Sequence, residues 1–496
     1  MNDAPLRVGI VPAEEHARRP RLWSALQAAY PVRFEGRAPG ALRELDGVLV
    51  FGEDRDQPEG GLPCLLLSEE EAAQANSAPR ALALASDSAL ARALHGARLS
   101  EAHCGALDRW AAPEHELVLA TLDDVPAWTL ARTDPDSPST QRVACAPIEL
   151  EQDEALRDRL RPGRSLALLA LVQFLRNLRE TQTGAEHRSP ALHATFLIDD
   201  PNLHWPSYGH LHFPAVLEHA RACGYHLSIA MVPLDGWFTD PRMARLFRAG
   251  SAQLSICVHG NEHYGPELGR PSSVAEGVAL GAQALRRVAA FERRTGIAVD
   301  RVMVPPHERI SEPMARALVT CGFQALCTTR PYPWAVTSPS LPWLTRPSDA
   351  GPLAAWGPVD VVAGGLTVLL RADLALHPRE DLVLRAFLGQ PLILYGHHEL
   401  LRDGPEALAD AAAAIDRLGE VHWCSLSEIA HASAPGNAPA HTAADSAAAA
   451  TAAQPASTAT AALPLQPRRL RPVLRRVTAE GKVRVRAVID SRKARA

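Results

Sequence analysis

The 496-residue sequence lacks several patterns that classify a protein at once. Its eight cysteines include no CxxC pair, which argues against a zinc knuckle, a thioredoxin-type motif and a disulfide scaffold. The longest apolar run, residues 166–172, is far shorter than the roughly 20 residues that a membrane span needs. Acidic residues (56) slightly outnumber Lys and Arg (51), so no overall positive charge attracts nucleic acid. The first residues do not resemble a secretory signal, and we expect a cytoplasmic protein without a transmembrane segment.

Short apolar runs alternate with helical patterns through residues 1–185. This alternation predicts an open α/β domain with parallel strands, of amidotransferase-like or flavodoxin-like type. The first run ends in Val11-Pro12-Ala13 rather than in a glycine-rich phosphate loop, so no nucleotide site is evident. Cys104 does not follow a strand-like run, and we interpret it as an ordinary small residue. The region is therefore predicted to be a scaffold or recognition domain.

A second α/β region occupies residues 191–432 and contains most of the candidate functional residues. Its repeated strand-like runs, with helical patterns between most of them, predict a β/α barrel whose active site lies at the C-terminal ends of the strands. Residues 433–466 are rich in Ala, Thr, Ser and Pro and are predicted to be a disordered linker. The Arg-rich tail, residues 467–496, either keeps the chain soluble or contacts an anionic partner.

Two strand-like runs of this region end in residues that typically bind metal ions. The first leads into Asp199 and Asp200, whose adjacent side chains diverge, so that one can bind an ion while the other addresses its water. The second leads into His259 and His263, which a helical turn would place on one face, towards a single ion. One Asp and two His leave coordination positions open for water and substrate, which is typical of a catalytic site.

Two later runs end in histidine, at His307 and at the pair His397-His398. A histidine beside a metal-bound intermediate can give a proton to a leaving amine or alcohol, because its ordinary pKa is about 6.5. Taken singly, each is more typical of a structural histidine. Four strands that end in such residues within one region are not explained by packing alone.

The segment after the Asp pair is rich in polar and aromatic residues and includes Asn202, Trp205 and Tyr208. Aromatic rings with polar neighbours can stack on sugar rings. The segment therefore either forms a sugar-stacking lip over the site or helps to close the barrel.

The order Ile198-Asp199-Asp200, His259-x-x-x-His263, a Pro-Pro segment and a hydrophobic strand that ends in His resembles the polysaccharide deacetylase (NodB-like carbohydrate esterase) superfamily. The resemblance covers about residues 194–430 and implies a distorted β/α barrel with a divalent ion, usually zinc. It further implies these roles: Asp199 as the catalytic base, Asp200, His259 and His263 as metal ligands, and His397 as the general acid, with His398 as the other candidate.

Two departures from the pattern of the superfamily concern the surroundings of the ligands. Asp-Asp-Gly is replaced by Asp199-Asp200-Pro201, and Arg-x-Pro-x-Gly is replaced by Met303–Glu308, without the Arg that orients the catalytic base. Arg301 is out of register, and His307 is a possible substitute that orients the base or contacts the substrate. Because the ligand positions are intact, these changes affect the expected substrate more than the metal.

The function that these residues favour is metal-assisted hydrolysis of an acyl amide, most simply an N-acetyl group on an amino sugar or a related carbohydrate or small amide. One alternative is a catalytically altered barrel that serves as a binding or regulatory module. Another is a glycoside hydrolase that pairs Asp199 with Glu262 or Glu308 across the sugar bond.

Overall fold

In a computed structural model, the chain forms two compact units, each built on its own β-sheet. The structure describes residues 5–52, 62–68, 79–102, 116–131, 140–150, 165–183, 191–329, 360–362, 365–376 and 379–433. Of these, the first unit takes the residues before 191 and residues 379–389, which contain a helix at 379–388, and the second unit takes the rest. Cys104, most of the predicted linker and the Arg-rich tail lie outside the described residues.

The first unit contains a nine-stranded mixed sheet with the order β2-β1-β3-β4-β9-β8-β7-β5-β6. Its strands are β1 (Leu6–Val11), β2 (Val32–Gly36), β3 (Gly47–Phe51), β4 (Cys64–Leu67), β5 (Arg80–Leu84), β6 (Arg98–Glu101), β7 (Leu117–Leu122), β8 (Val125–Ala131) and β9 (Thr140–Val143). The pairs β2–β1, β1–β3, β3–β4 and β4–β9 are parallel, as the alternating pattern predicts. The other pairs are antiparallel, which the pattern did not predict. A two-residue turn with positive φ at Asp123 and Asp124 joins β7 to β8, as tight hairpins require.

Among the described residues of the first unit, three α-helices precede residue 191 and a fourth follows late in the chain. Their bounds are α1 (Ala13–Arg18), α2 (Pro20–Ala29), α3 (Leu166–Thr183) and α8 (Arg379–Leu388). Helix α3 begins where the buried carboxylate of Glu101 accepts hydrogen bonds from the backbone N–H groups of Ser165 and Leu166. An acidic group at this end satisfies N–H groups that have no partner within the helix.

The second unit is a closed barrel of seven parallel strands, which confirms the predicted barrel fold. Its strands are β10 (Leu192–Asp199), β13 (Leu227–Met231), β14 (Leu254–His259), β15 (Asp300–Val304), β16 (Ala325–Thr328), β18 (Leu366–Asp373) and β19 (Leu392–Gly396). Pairing of β13 with β10 closes the ring. The accessory strands are β11 (Ser207–Tyr208), β12 (Leu211–His212), β17 (Asp360–Val362) and β20 (Val421–Trp423).

The interior of the barrel is apolar at mid-height, where fully buried side chains of alternate strand residues meet. They include Leu197, Cys257, Val302, Cys327 and Leu369. The helices of this unit are α4 (Phe213–Cys223), α5 (Pro241–Ala249), α6 (Val274–Thr295), α7 (Glu312–Thr320), α9 (Glu406–Asp416) and α10 (Leu426–Ala432). Helix α10 packs into the same apolar cluster through Leu426 and Ile429. Side chains alternate between the inside and the outside of the barrel along each strand. The residue two positions after each member of this apolar layer therefore also points inward, nearer the C-terminal mouth of the barrel.

Within the part of the chain that the structure describes, no helix combines the length and the apolar character that crossing a membrane demands.

Candidate metal and catalytic site

The structure brings together three of the residues that the sequence predicts as metal ligands. Asp200 directly follows β10, His259 is the last residue of β14, and His263 lies four residues further on. Their ligand atoms all lie within 4.8 Å of one another. Nε2 of His263 is 3.6 Å from Oδ1 of Asp200, and Nε2 of His259 is 4.0 Å from the same oxygen. A divalent ion that binds each ligand at about 2.0–2.2 Å fits between such atoms after a small contraction.

Hydrogen bonding fixes which nitrogen of His259 faces the ligand cluster. The ring is buried, and Nδ1 lies 3.0 Å from the carbonyl oxygen of Val304, the last residue of β15. A carbonyl oxygen can only accept, so Nδ1 carries the proton and the lone pair is on Nε2. This arrangement is the usual outer-shell support of a metal-binding histidine.

The loop that carries His263 is organised around one buried carboxylate. Oε1 of Glu267 accepts hydrogen bonds from the backbone N–H groups of Asn261, Glu262 and His263, at 2.7–2.8 Å. Gly260 has φ +60°, and a Cβ there would collide with Pro306 and Glu267. His263 itself has φ +52°, so the predicted helical turn between the two histidines is wrong. A bend shaped by Glu267 brings the rings together instead, with centroids 4.9 Å apart.

The other carboxylate of the pair, Asp199, is buried and held by Arg371 of β18. Nη1 and Nη2 of Arg371 donate to Oδ1 and Oδ2 of Asp199, both at 2.8 Å. The same guanidinium donates through Nε and Nη2 to Glu308, and its Cζ lies 3.9 Å from the centroid of the Tyr395 ring. Glu308 also accepts from Thr328 Oγ1 at 2.7 Å. Two carboxylates and one aromatic ring therefore fix Arg371 in a single orientation.

No sequence motif pointed to Arg371, since the resemblance places the orienting arginine in the segment that Met303–Glu308 replaces. Arg301 lies elsewhere and donates to Glu292 at 2.8 Å. His307 is exposed, has φ +57°, and lies beside His263, with ring centroids 5.1 Å apart. Both Asp199 oxygens accept from Arg371, so orientation of this carboxylate does not require His307. The inward position of Arg371 in β18 was the signal that could have identified it.

The charges around Asp199 keep this carboxylate ionised. Burial alone would raise the pKa of Asp199, but the guanidinium of Arg371, through its charge and its hydrogen bonds, contributes to a pKa below the ordinary value. Burial likewise opposes the charge of Arg371, yet Asp199 and Glu308 hold the pKa of Arg371 well above its usual range. Asp199 is therefore an ionised carboxylate that directly precedes Asp200 of the ligand cluster.

The two histidines after β19 differ in their surroundings. His397 is exposed and close enough to Asp199 to lower the pKa of that carboxylate. His398 is buried, and burial, followed by the neighbouring His210 and His397, lowers its pKa although Glu399 and Asp200 oppose this. The Nδ1 atom of His398 is buried without a hydrogen-bond partner among the described residues.

Of the three polar and aromatic residues predicted to form a lip, only Trp205 presents a large exposed side chain. Trp205 is half exposed, whereas Asn202 and Tyr208 are buried. The side chain of Asn202 accepts from the backbone N–H of His204 at 3.2 Å, and the ring of Tyr208 packs against that of His398. Asn202 and Tyr208 therefore support the loop after β10 from inside the protein and are not part of its exposed surface.

The candidate carboxylates for a glycosidase-type pair are engaged elsewhere. Glu262 accepts from Nη2 of Arg287 at 2.7 Å. Glu308 shares the guanidinium of Arg371 with Asp199. Each of the two candidate partners of Asp199 is therefore already bound by an arginine side chain.

Comparison with known proteins gives a weak similarity of fold. No protein-family profile matches the sequence, and no curated protein matches it either. Among solved structures, one similar chain is a protein from Mycobacterium smegmatis described as a polysaccharide deacetylase, at 13% identity and a TM-score of 0.37, covering 50% of this chain and 92% of that one. A CE4-family pseudoenzyme from Bacillus anthracis is similar at 12% identity and a TM-score of 0.28, covering 49% and 66%. A family 4 carbohydrate esterase from Streptomyces lividans is similar at 12% identity and a TM-score of 0.25, covering 46% and 86%. At these identities and TM-scores the similarity carries no inference about the family, the activity or the substrate of this chain.

Proposed function

We propose that this protein is a metal-dependent hydrolase that removes an acyl group, most simply acetyl, from the nitrogen of an amino sugar or a related amide. The observation that supports this most directly is the pairing of two carboxylates with different tasks. Asp200 joins His259 and His263 in a ligand cluster, while the adjacent Asp199 is held ionised by Arg371. One position can therefore bind an ion while the next accepts a proton.

The donor set of two imidazoles and one carboxylate suits zinc and other divalent transition metals and leaves coordination positions open. When bound, such an ion polarises the acyl oxygen and lowers the pKa of a coordinated water. Asp199 accepts the proton of the attacking water, and Arg371 keeps its carboxylate fixed and ionised. His397 gives a proton to the departing amine, and His398 is the other candidate for this step.

The first test is elemental analysis of the purified protein and of His259→Ala. We expect about one divalent metal ion per chain in the wild type and its loss in the variant. The matched control is His219→Ala, which removes a histidine of helix α4 that contacts Tyr225. A wild-type protein that takes up no metal even from excess ions would contradict the proposal and favour a binding or regulatory module.

The second test separates binding of the metal from catalysis. Asp199→Asn is expected to keep the metal and to lose at least about 100-fold in the rate of acetate release from N-acetylglucosamine oligomers. Wild-type rates in Asp199→Asn would show that the assigned base is wrong. If acetate is released by the wild type while His397→Ala keeps full activity, His398 becomes the proton donor.

A further inference from the structure

The two candidate histidine ligands are positioned by different means. His259 is the last residue of β14, and its ring is fixed by a hydrogen bond to the carbonyl oxygen of Val304. His263 lies in a bend beyond the strand and has φ +52°, a conformation that residues other than glycine rarely adopt. Such a backbone persists only where the surrounding structure holds it. The contacts of the bend, residues 260–262, therefore decide where the His263 ring lies.

Helix α6 contributes one set of these contacts. Gln283 and Arg287 lie four residues apart in α6 and therefore on one face of the helix. Nη1 of Arg287 donates to Oδ1 of Asn261 at 2.6 Å and to its carbonyl oxygen at 3.3 Å, and Nη2 donates to Oε1 of Glu262 at 2.7 Å. Nδ2 of Asn261 donates to Oε1 of Gln283 at 2.7 Å. One guanidinium thus binds both residues that directly precede His263.

Asn261 is the fixed point of the bend. Its backbone N–H donates to Oε1 of Glu267, and its carbonyl oxygen accepts from the backbone N–H of Leu234 at 3.0 Å as well as from Arg287. Both ends of its side-chain amide are bound by Gln283 and Arg287. Asn261 is only 1% exposed, so water does not readily replace a lost partner, and an unpaired buried polar group is costly. The orientation of Asn261 therefore depends on Arg287, which supplies two of these hydrogen bonds.

The ion pair between Arg287 and Glu262 acts on the same bend through charge. The side chain of Glu262 is 13% exposed and that of Arg287 is 21% exposed. A carboxylate that is largely buried needs a cation beside it, and removal of the cation leaves a charge that is not compensated. Glu262 directly precedes His263, so a movement that carries this carboxylate to water would also displace the histidine.

We propose that Arg287 is a positioning residue of the ligand cluster, which sets the bend through Asn261 and Glu262 and so places the ring of His263. The statement rests on the proposed function in that His263 binds an ion. Arg287 does not place His259, whose position follows from β14 and Val304. Loss of Arg287 should therefore have the same consequence for the metal site as loss of His263.

The test compares the wild type, Arg287→Ala, His263→Ala and the variant with both changes. In competition with a chelator, Arg287→Ala should bind Zn²⁺ about tenfold more weakly than the wild type, a typical effect of losing a group that orients a ligand. At saturating Co²⁺, the visible absorption band of Arg287→Ala should match that of His263→Ala, because both have lost the same ligand. The second change should then leave the band unaltered.

Two outcomes overturn the inference directly. One is wild-type affinity in Arg287→Ala. The other is a weaker affinity with the wild-type absorption band, since a contact that only stabilises the fold would lower metal binding without removing one particular ligand.

Two further variants control for folding. Arg301→Ala removes an arginine that binds Glu292 of the same helix through two hydrogen bonds, and it should keep the wild-type affinity. Arg287→Lys keeps the charge but cannot bind Asn261 and Glu262 in the same way, because an ammonium lacks the planar fork of a guanidinium. Its affinity should lie between those of the wild type and Arg287→Ala. If Arg287→Ala does not fold, Arg287→Lys takes its place in both measurements.

Acetate release from N-acetylglucosamine oligomers, measured in parallel, separates this inference from the proposed function. Weaker Zn²⁺ binding and a matching Co²⁺ band in Arg287→Ala, without acetate release by the wild type, support the positioning role and overturn the hydrolase. Acetate release by the wild type, with unchanged metal binding in Arg287→Ala, overturns the positioning role and leaves the hydrolase. A wild type that binds neither Zn²⁺ nor Co²⁺ overturns both.

Discussion

Replacement of Asp300 by Asn is expected to stabilise the protein, and to do so more strongly at alkaline pH. Asp300 begins β15, at the end of the barrel opposite the candidate site. Burial raises its pKa to about 7, although hydrogen bonds from the backbone of Ser427 and the side chain of Ser255 act in the other direction. Its Oδ2 atom is buried and has no hydrogen-bond partner among the described residues. The ionised form is therefore poorly accommodated in the folded protein.

The expected magnitude follows from the difference between the two pKa values. The unfolded chain releases the proton of Asp300 near its ordinary pKa of 3.8, whereas the folded protein keeps it until about pH 7. The folded state binds more protons in this window, so stability falls as the pH rises through it. A rise of about 3 pH units corresponds to about 4 kcal/mol of lost stability above pH 7, and to about 1.5 kcal/mol at pH 5. Asn cannot ionise and escapes this loss.

The assay is urea unfolding of the wild type and of Asp300→Asn at pH 5 and at pH 8. The stability difference between the two proteins should increase by about 2–3 kcal/mol between these pH values. His226, whose pKa burial lowers to about 4, adds an opposite pH dependence, but it is present in both proteins and cancels. Asp403→Asn, at an exposed position, is the control. A difference that does not change with pH would refute the reasoning.

Three further predictions concern the candidate site. Glu267→Gln should weaken metal binding about tenfold or more in a chelator titration, because it removes the charge that holds the His263 loop, and unchanged affinity would contradict this role. Gly209→Ala should lower turnover without loss of metal, because Gly209 has φ +56° and its Cβ would overlap the His398 ring; metal loss would point to a wider disturbance. Arg371→Lys should reduce the unfolding free energy by about 3 kcal/mol and kcat at least tenfold, because a lysine cannot bridge two carboxylates, and equal thermal stability would count against it.

The position of the ligand cluster could be predicted because it depends on local patterns. Each ligand lies at, or a few residues after, the end of an apolar strand, and parallel strands in a closed barrel end on the same rim. The ends of β10 and β14 therefore bring Asp200 and His259 to the same rim, and His263 follows in the loop after β14. The conformation between the two histidines could not be predicted, because it depends on Glu267 and on the positive φ of His263 rather than on helical spacing.

The partner of Asp199 was missed because it is distant in sequence and satisfies no local motif. Arg371 lies 172 residues after Asp199, and only the closure of the barrel brings the two side chains together. Alternation along β18 places Arg371 on the inward face, but the sequence alone does not say which inward position lies level with Asp199. The antiparallel half of the first sheet was missed for a similar reason, since its pairing depends on contacts across the sheet.

The path of the chain between β18 and β19 bears on how this protein can be dissected. Helix α8 belongs to the first unit, where Glu380 accepts from the backbone N–H of Ser100 and Phe387 lies under the guanidinium of Arg176. The strand before this helix carries Arg371, and the strand after it leads to His397. Deletion of the residues before 191 would therefore remove the partners of a helix that lies, in the sequence, between two strands of the barrel, so we do not expect the second unit to fold unchanged on its own.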